Sequence, residues 1–501
     1  MDRKHAPSKE PEIRFLVACP RSGSALLMRI FAESSECAVT NRLVLAGNAQ
    51  GSADSRCPDL SILESPCHHV VFKTAKDLGK QFIICTEELG SNGHKSAVVC
   101  EPCPTPSIYA VTRPVFLIRD PIRVFDSWKH VGRTDAQSLV DRFANIFRML
   151  DQAPSRGASC LLYERLVQQP QDEVQRICAR WGVPFSEAML EFKKPFGSSF
   201  IFPTDREEAT YCQEKALGLF TTIEAASSII PDAPPHNLLS NDEKDAIEEQ
   251  LGRLYLRCWD NEVPKLRAVL LEKAWVGFDL DDTLHEFRRA SSTATDQALA
   301  KISGAYNIPM PELNQEYAKI LQLKTANAFS DGKTSFDYRK ERFSLVLERF
   351  SLPYDAHFMH FLLETYETAI SASLELKCGA LGLLSTVKNM GKKIAVITEG
   401  PQDAQERTVK ALGIDGYIDF LATTNHFGVS KTAGLFVKVL QHLGISPGYM
   451  AYIGDSAQRD MEPALSAGIF SVHLDESRNV SLSSTPPRIN TLRKLQYIIS
   501  G

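Results

Sequence analysis

The stretch Trp275 to Leu284, WVGFDLDDTL, constrains this chain more than any other ten residues. Its apolar run predicts a buried strand, and Asp279 and Asp281 stand at the strand's carboxyl end. In open α/β sheets that end faces the crevice where ligands bind. Two carboxylates two residues apart do not both ionise cheaply without a cation, so the pair points to a metal site and to divided labour. One can attack as a nucleophile while the other, kept partly protonated, serves as acid and base. The plainer alternative is a solvated acidic turn.

Three later stretches count against that alternative. KKIAVIT ends a second apolar strand in Thr398, whose hydroxyl can hold a phosphoryl oxygen. In GVSKTAGLF, Lys431 opens a helix with a positive charge. AYIGDSAQRD places Asp455 after a further strand, with Asp460 five residues on. In this order the four segments resemble the motifs of the haloacid dehalogenase (HAD) superfamily of phosphohydrolases.

The resemblance covers roughly Lys273 to the end and implies a HAD-like domain over 273–490, a doubly wound parallel sheet. It implies that Asp279 takes the phosphoryl group as an aspartyl-phosphate. Asp281 would protonate the leaving oxygen and later activate water. Thr398 and Lys431 would bind the phosphoryl oxygens, with Lys431 also neutralising the carboxylates. Mg²⁺ would be held by Asp279, the main-chain carbonyl of Asp281 and Asp455, with Asp460 acting through water. Hard oxygen donors suit Mg²⁺ rather than zinc. Dehalogenating members lack the second aspartate of the pair, so Asp281 and Asp455 favour phosphate ester hydrolysis. Phosphoryl mutases share all four motifs and stay open as an alternative.

Between Asp281 and Thr398, apolar positions in ALAKISGAYNI, ELNQEYAKILQL and YRKERFSLVLERF recur at three and four, predicting helices. The resemblance makes this insertion, about 288–375, a helical cap that selects a small-molecule substrate. Lys319, Lys324, Arg339 and Arg342 are candidates to face that substrate, with ordinary solvated charge as the alternative.

In the first half, EIRFLVACPRSGSALLMRIF predicts a strand, a tight polar turn and a helix from near Ser24. Such a turn aims main-chain N–H groups and the positive helix end at an anion. It lacks the GxxxxGK[ST] spacing of nucleoside triphosphatases. PVFLIRDPIRVFDSWKHVG then runs a strand into Arg119 and a helix carrying Ser127. An arginine fork matches phosphate geometry and keeps its charge. The Arg21, Ser22, Gly23, Ser24 turn and the Arg119–Ser127 pair resemble the two phosphate-binding segments of sulfotransferases, whose P-loop fold is a second doubly wound parallel sheet. LLYERLVQQPQDEVQRICARWGVPF resembles the strand and helix that follow them in that family. The resemblance covers 12–262 and implies 3′-phosphoadenosine 5′-phosphosulfate (PAPS) as co-substrate. A salt bridge of Arg119 to Asp120 or Glu164 is the alternative.

VVFKTAKDLG reads as the family's third segment, a strand with Lys73 to steady the sulfuryl group. Where many members then carry a histidine base, this chain has Ala75. His68 and His69 precede it, and in a strand only one of them could face the site. The combined expectation is a bifunctional enzyme, HAD-type phosphatase plus PAPS-binding sulfotransferase-like domain. The alternative is a phosphatase whose N-terminal domain only binds or scaffolds.

The chain's 501 residues accommodate two such folds and a cap. A net charge of −5 argues against broad nucleic-acid or anionic-membrane binding. No spanning apolar run and a polar N-terminus, MDRKHAPSKEPE, make cytoplasmic residence the expectation. Of 12 cysteines, eleven precede the second domain without a disulfide framework, and read as reduced thiols. Cys100 and Cys103 form a CxxC in a segment whose prolines predict a loop. Ser240 or Asn241 is expected to cap a closing helix, 265–273 to connect the domains, and RNVSLSSTPPR to be an exposed loop. Oligomeric state has no signature in the sequence.

Overall fold

A computed structural model describes residues 10–45, 59–89, 101–152, 159–230, 233–324 and 329–501. Contacts divide the chain into two units, Met1–Cys258 and Trp259–Gly501. Among the described residues, no helix is long and apolar enough to cross a membrane.

Among the described residues the first unit is built on five strands: β1 (Glu12–Ala18), β2 (Cys37–Asn41), β3 (Phe82–Glu88), β4 (Val115–Ile118) and β5 (Ser159–Leu162). They pair in parallel in the order β2-β3-β1-β4-β5. Central β1 and β4 are buried almost throughout, as a parallel sheet covered on both faces requires. The charged residue buried inside β1 is Arg14, its Nε donating to Trp181 O at 2.7 Å. The turn after β1 leads into the helix Ser24–Ala32, and β4 leads into the helix Pro121–His130. Both turns therefore leave the carboxyl edge of adjacent strands.

One predicted strand of this unit is a helix. Val70–Asp77 is helical, capped by His69, whose Nδ1 accepts from Val71 N at 3.3 Å. Val71, Phe72 and Ala75 are buried and Lys73 is exposed, the burial of one helix face rather than a strand's alternation. With no strand here, the argument from alternating faces for His68 and His69 falls; His68 belongs to the single turn Pro66–His68. The closing helix begins at Asn241 under a capping box of Ser240 and Glu243, then widens by a π turn at Glu248–Gly252.

In the second unit the stretch read as a connector is a helix, Glu262–Leu271, with Leu266 and Leu270 buried. It leads into β6 (Trp275–Phe278). With β7 (Lys393–Thr398), β8 (Phe420–Thr423), β9 (Met450–Gly454), β10 (Phe470–Leu474) and β11 (Arg488–Ile489), this strand makes a parallel sheet ordered β11-β10-β9-β6-β7-β8. Among the described residues five helices lie between β6 and β7, Ala380–Asn389 running directly into β7 and the other four preceding it: Phe287–Tyr306, Met310–Lys324, Ser335–Arg349 and Ala356–Ala372. Those four share an apolar core of their own that includes Leu299, Ile302, Phe343, Val346, Leu362 and Tyr366.

The segment RNVSLSSTPPR differs from its reading as an exposed loop. Asn479, Val480, Ser481 and Leu482 are buried, and Ser481 exchanges main-chain hydrogen bonds with Arg488 of β11 at 2.8–2.9 Å. Its polar composition hides an edge pairing. Cys100 lies outside the described residues, while Cys103 is a buried thiol in the loop before the helix Pro106–Thr112.

Candidate active site

Strand β6 ends immediately before Asp279, β7 ends in Thr398, and β9 ends immediately before Asp455. Because β6 lies between β7 and β9, these residues converge on one carboxyl edge. A cavity of about 730 Å³ opens there, lined by Asp279, Asp281, Thr398, Lys431 and Asp460 and, from the helix Ser335–Arg349, by Tyr338, Arg339 and Arg342.

Lys431 organises the floor. Its Nζ donates to Asp279 Oδ1 at 2.7 Å and to Asp460 Oδ1 at 2.5 Å, all three side chains being buried. Burial alone would lower the Lys431 pKa, but the two carboxylates outweigh it and hold the pKa raised. Burial pushes Asp279 well up despite Lys431, and Asp460 and Asp281 push in the same direction. Asp460 also accepts from Tyr452 Oη at 2.8 Å and from Ser456 N at 3.0 Å, so both of its carboxylate oxygens are hydrogen-bonded.

Asp281 turns its carboxylate elsewhere. Its Oδ1 lies 3.1 Å from His285 Nε2, and Oδ2 accepts from Gln405 Nε2 at 3.2 Å. Asp455 meets Arg288 at 3.2 Å, and burial raises its pKa. The Thr398 hydroxyl is fully buried and has no hydrogen-bond partner among the described residues. A buried polar atom facing a cavity without a partner is what a site for an anionic oxygen leaves open.

Carboxylate oxygens of Asp279, Asp455 and Asp460 lie within 4.8 Å of one another. Three hard anionic donors so close fit Mg²⁺. The four candidate cations of the inserted helices separate: Arg339 and Arg342 are buried and line the cavity, whereas Lys319 and Lys324 pair with Glu316 and Glu341. Sequence reading missed Tyr452, Gln405, His285 and Arg288. Each acts through a partner remote in sequence or on an adjoining turn, and none has a spacing of its own.

In the first unit, Arg21, Ser22, Gly23, Ser24, Arg119 and Ser127 also come together. Arg119 Nη1 donates to Arg21 O at 3.1 Å, and Arg21 Nε donates to Ser127 Oγ at 3.1 Å. Ser24 Oγ donates to Glu88 Oε1 at 2.5 Å. Gly23 has φ 100°, and a Cβ there would stand 2.4 Å from Tyr163 Cδ2, so only glycine fits beneath that ring. The Arg119 guanidinium stacks 4.4 Å from the same ring. Ser22 Oγ and Arg119 Nε are buried without partners among the described residues. Glu164, the alternative partner of Arg119, accepts instead from Asp120 N at 2.9 Å. Lys73 is not gathered into this cluster. It stands on the exposed face of its helix, whose last turn is tied by Lys76 to Glu10, just before the start of β1.

Residues 276–474 match the family model of haloacid dehalogenase-like hydrolases. A glyceraldehyde 3-phosphate phosphatase of Methanocaldococcus jannaschii is 28% identical over 224 residues, 44% of this chain and 93% of the relative. A pyrimidine 5′-nucleotidase of Escherichia coli is 23% identical over 229 residues, 45% of this chain and 97% of the relative. Among solved structures, the HAD-hydrolase YfnB from Bacillus subtilis, bound to magnesium, is 21% identical with a TM-score of 0.37, covering 46% of this chain and 100% of its own. A HAD phosphatase from Thermococcus onnurineus is 24% identical with a TM-score of 0.35, covering 46% and 98%. Residues 276–474 belong to the haloacid dehalogenase superfamily. The matched model describes its members as hydrolases.

Proposed function

We propose that the second unit hydrolyses a small phosphomonoester through an aspartyl-phosphate on Asp279. The observation that carries this reading is the Lys431 ammonium held between Asp279 and Asp460, with Asp455 close enough to share a cation. Asp279 attacks phosphorus and the bond to the leaving oxygen breaks. Asp281 gives that oxygen its proton, then takes one from the water that cleaves the acyl phosphate. The Thr398 hydroxyl and Lys431 hold the phosphoryl oxygens, while Gln405 and His285 orient Asp281. Mg²⁺ at Asp279, Asp455 and, through water, Asp460 would offset repulsion between an anionic nucleophile and an anionic substrate. Relatives named for a triose phosphate and for pyrimidine nucleotides supply the first substrates to try. Phosphate release from p-nitrophenyl phosphate should require Mg²⁺ and vanish in Asp279→Asn; equal activity in both proteins refutes the nucleophile.

A second reading concerns the first unit. We propose that its Arg21–Ser24 turn, with Arg119 and Ser127, binds a phosphate-bearing nucleotide of the PAPS type. The two buried, unpartnered polar atoms, Ser22 Oγ and Arg119 Nε, favour it. Ala75 and the exposed Lys73 favour binding over sulfuryl transfer. Calorimetric titration with 3′-phosphoadenosine 5′-phosphate should show binding that ATP does not match and that Arg119→Ala loses. No heat with either nucleotide would leave this unit without a nucleotide role.

A further inference from the structure

One of the six cations lining the cavity above Asp279 has no carboxylate partner among the described residues. Five of the positive side chains lining it are paired. Lys431 meets Asp279 and Asp460, and Arg288 meets Asp282 and Asp455. Arg339 meets Glu367, Arg407 meets Glu367 and Asp403, and Arg459 meets Glu399. Arg342 lines the same cavity at 9% exposure. Among the described residues it has no carboxylate partner, and its Nε is sealed from solvent without a hydrogen bond. Its neighbour is the ring of Phe329, 5.8 Å away. One helical turn earlier, the Tyr338 hydroxyl is likewise buried and unpartnered, and it too lines the cavity. Residues four apart share a helix face, so guanidinium and hydroxyl present their free donors together.

A buried guanidinium without a counter-charge is costly, and a helix of the cap retains one in the wall of the site. We infer that the substrate carries a second anionic group, a carboxylate or another phosphate, which the cap receives on Arg342 and Tyr338 while the scissile phosphate lies at Asp279. This rests on the phosphatase reading of the second unit. It narrows that reading to phosphomonoesters with an acidic far end, against neutral polyol phosphates. The two donors differ in kind: the guanidinium supplies charge and the hydroxyl supplies direction.

The test compares the full-length protein, with Mg²⁺, on glycerol 3-phosphate, 3-phosphoglycerate and fructose 1,6-bisphosphate. One or both acidic probes should exceed glycerol 3-phosphate in kcat/KM by roughly 10–100-fold, the value of a charge-assisted hydrogen bond. Which of them does so separates carboxylate from phosphate. In Arg342→Met that preference should collapse, and Arg342→Lys should restore part of it. Equal kcat/KM on all three probes in the unaltered protein overturns the inference without needing any variant to fold. So does a preference that survives Arg342→Met. Calorimetric titration with 3-phosphoglycerate and glycerol 3-phosphate reads the same selectivity without catalysis. Selective binding with no phosphate released would sink the phosphatase reading while sparing the acid subsite.

Discussion

At Lys431 a single ammonium keeps two buried carboxylates, Asp279 and Asp460, from repelling each other. Removing it in Lys431→Met should therefore destabilise the metal-free protein by about 3–5 kcal/mol, the cost of breaking a buried ion pair. Added Mg²⁺ should recover part of the loss by supplying positive charge to the same carboxylates. Thermal melts in chelator and in Mg²⁺ measure both, and an unchanged melting point in chelator contradicts the arrangement. The first unit holds a different buried charge. Burial, then the Asp120 carboxylate, pushes Glu164 up to about 7, and burial pushes Glu87 to about 7 as well. Both folded values exceed the ordinary 4.5, so each protonated carboxyl contributes stability that is complete below 4.5 and lost as pH rises through 7. Each should cost the first unit roughly 3 kcal/mol between pH 5 and pH 8. Glu164→Gln keeps an oxygen for the Asp120 N–H and should remove about half of that slope, as denaturant titrations across this range would show. An unaltered slope would place the titration elsewhere.

Strand ends set the site at the scale of elements. Gly454 closes β9 so tightly against the π turn Ala457–Met461 that a Cβ would stand 2.5 Å from Asp460 Cγ. Gly454→Ala should push Asp460 out of line, take Lys431 with it, and lower kcat on the order of 100-fold, the scale of an ångström's misplacement. A kcat within twofold of the unaltered protein would show that the turn can yield. The same elements show what was legible beforehand. Asp279, Thr398 and Asp455 were readable because their strands are apolar on both faces and stop abruptly at a polar residue, a pattern local to a few residues. Val70–Asp77 was misread because its β-branched start imitates a strand, and its burial spacing appears only once packed. Tyr452 and Gln405 were unreadable for another reason: their partners, Asp460 and Asp281, are chosen by the turn after β9 and by the helix Gln402–Ala411 that follows β7.

At the scale of the whole molecule the division between Cys258 and Trp259 assigns the helix Glu262–Leu271 to the second unit. That helix does more than connect. Arg267 donates to the carbonyls of Ile499 and Ser500 at 3.3 Å, occupying acceptors that the end of the last helix, Leu492–Ser500, would leave unmet. Lys392, just before β7, donates to Leu271 O at 2.7 Å. A phosphatase fragment cut at the first strand, 273–501, would lose the burial of Leu266 and Leu270 together with these bonds. The two side chains alone contribute about 3–6 kcal/mol, a large share of a domain's stability. Residues 259–501 should therefore fold alone and hydrolyse p-nitrophenyl phosphate with the kcat/KM of the full chain. The 273–501 fragment should melt well below it or fail to fold. Equal melting points for the two fragments would return the helix to the role of a tether. A 259–501 fragment that folds but is inactive would mean that the first unit contributes to catalysis in the second.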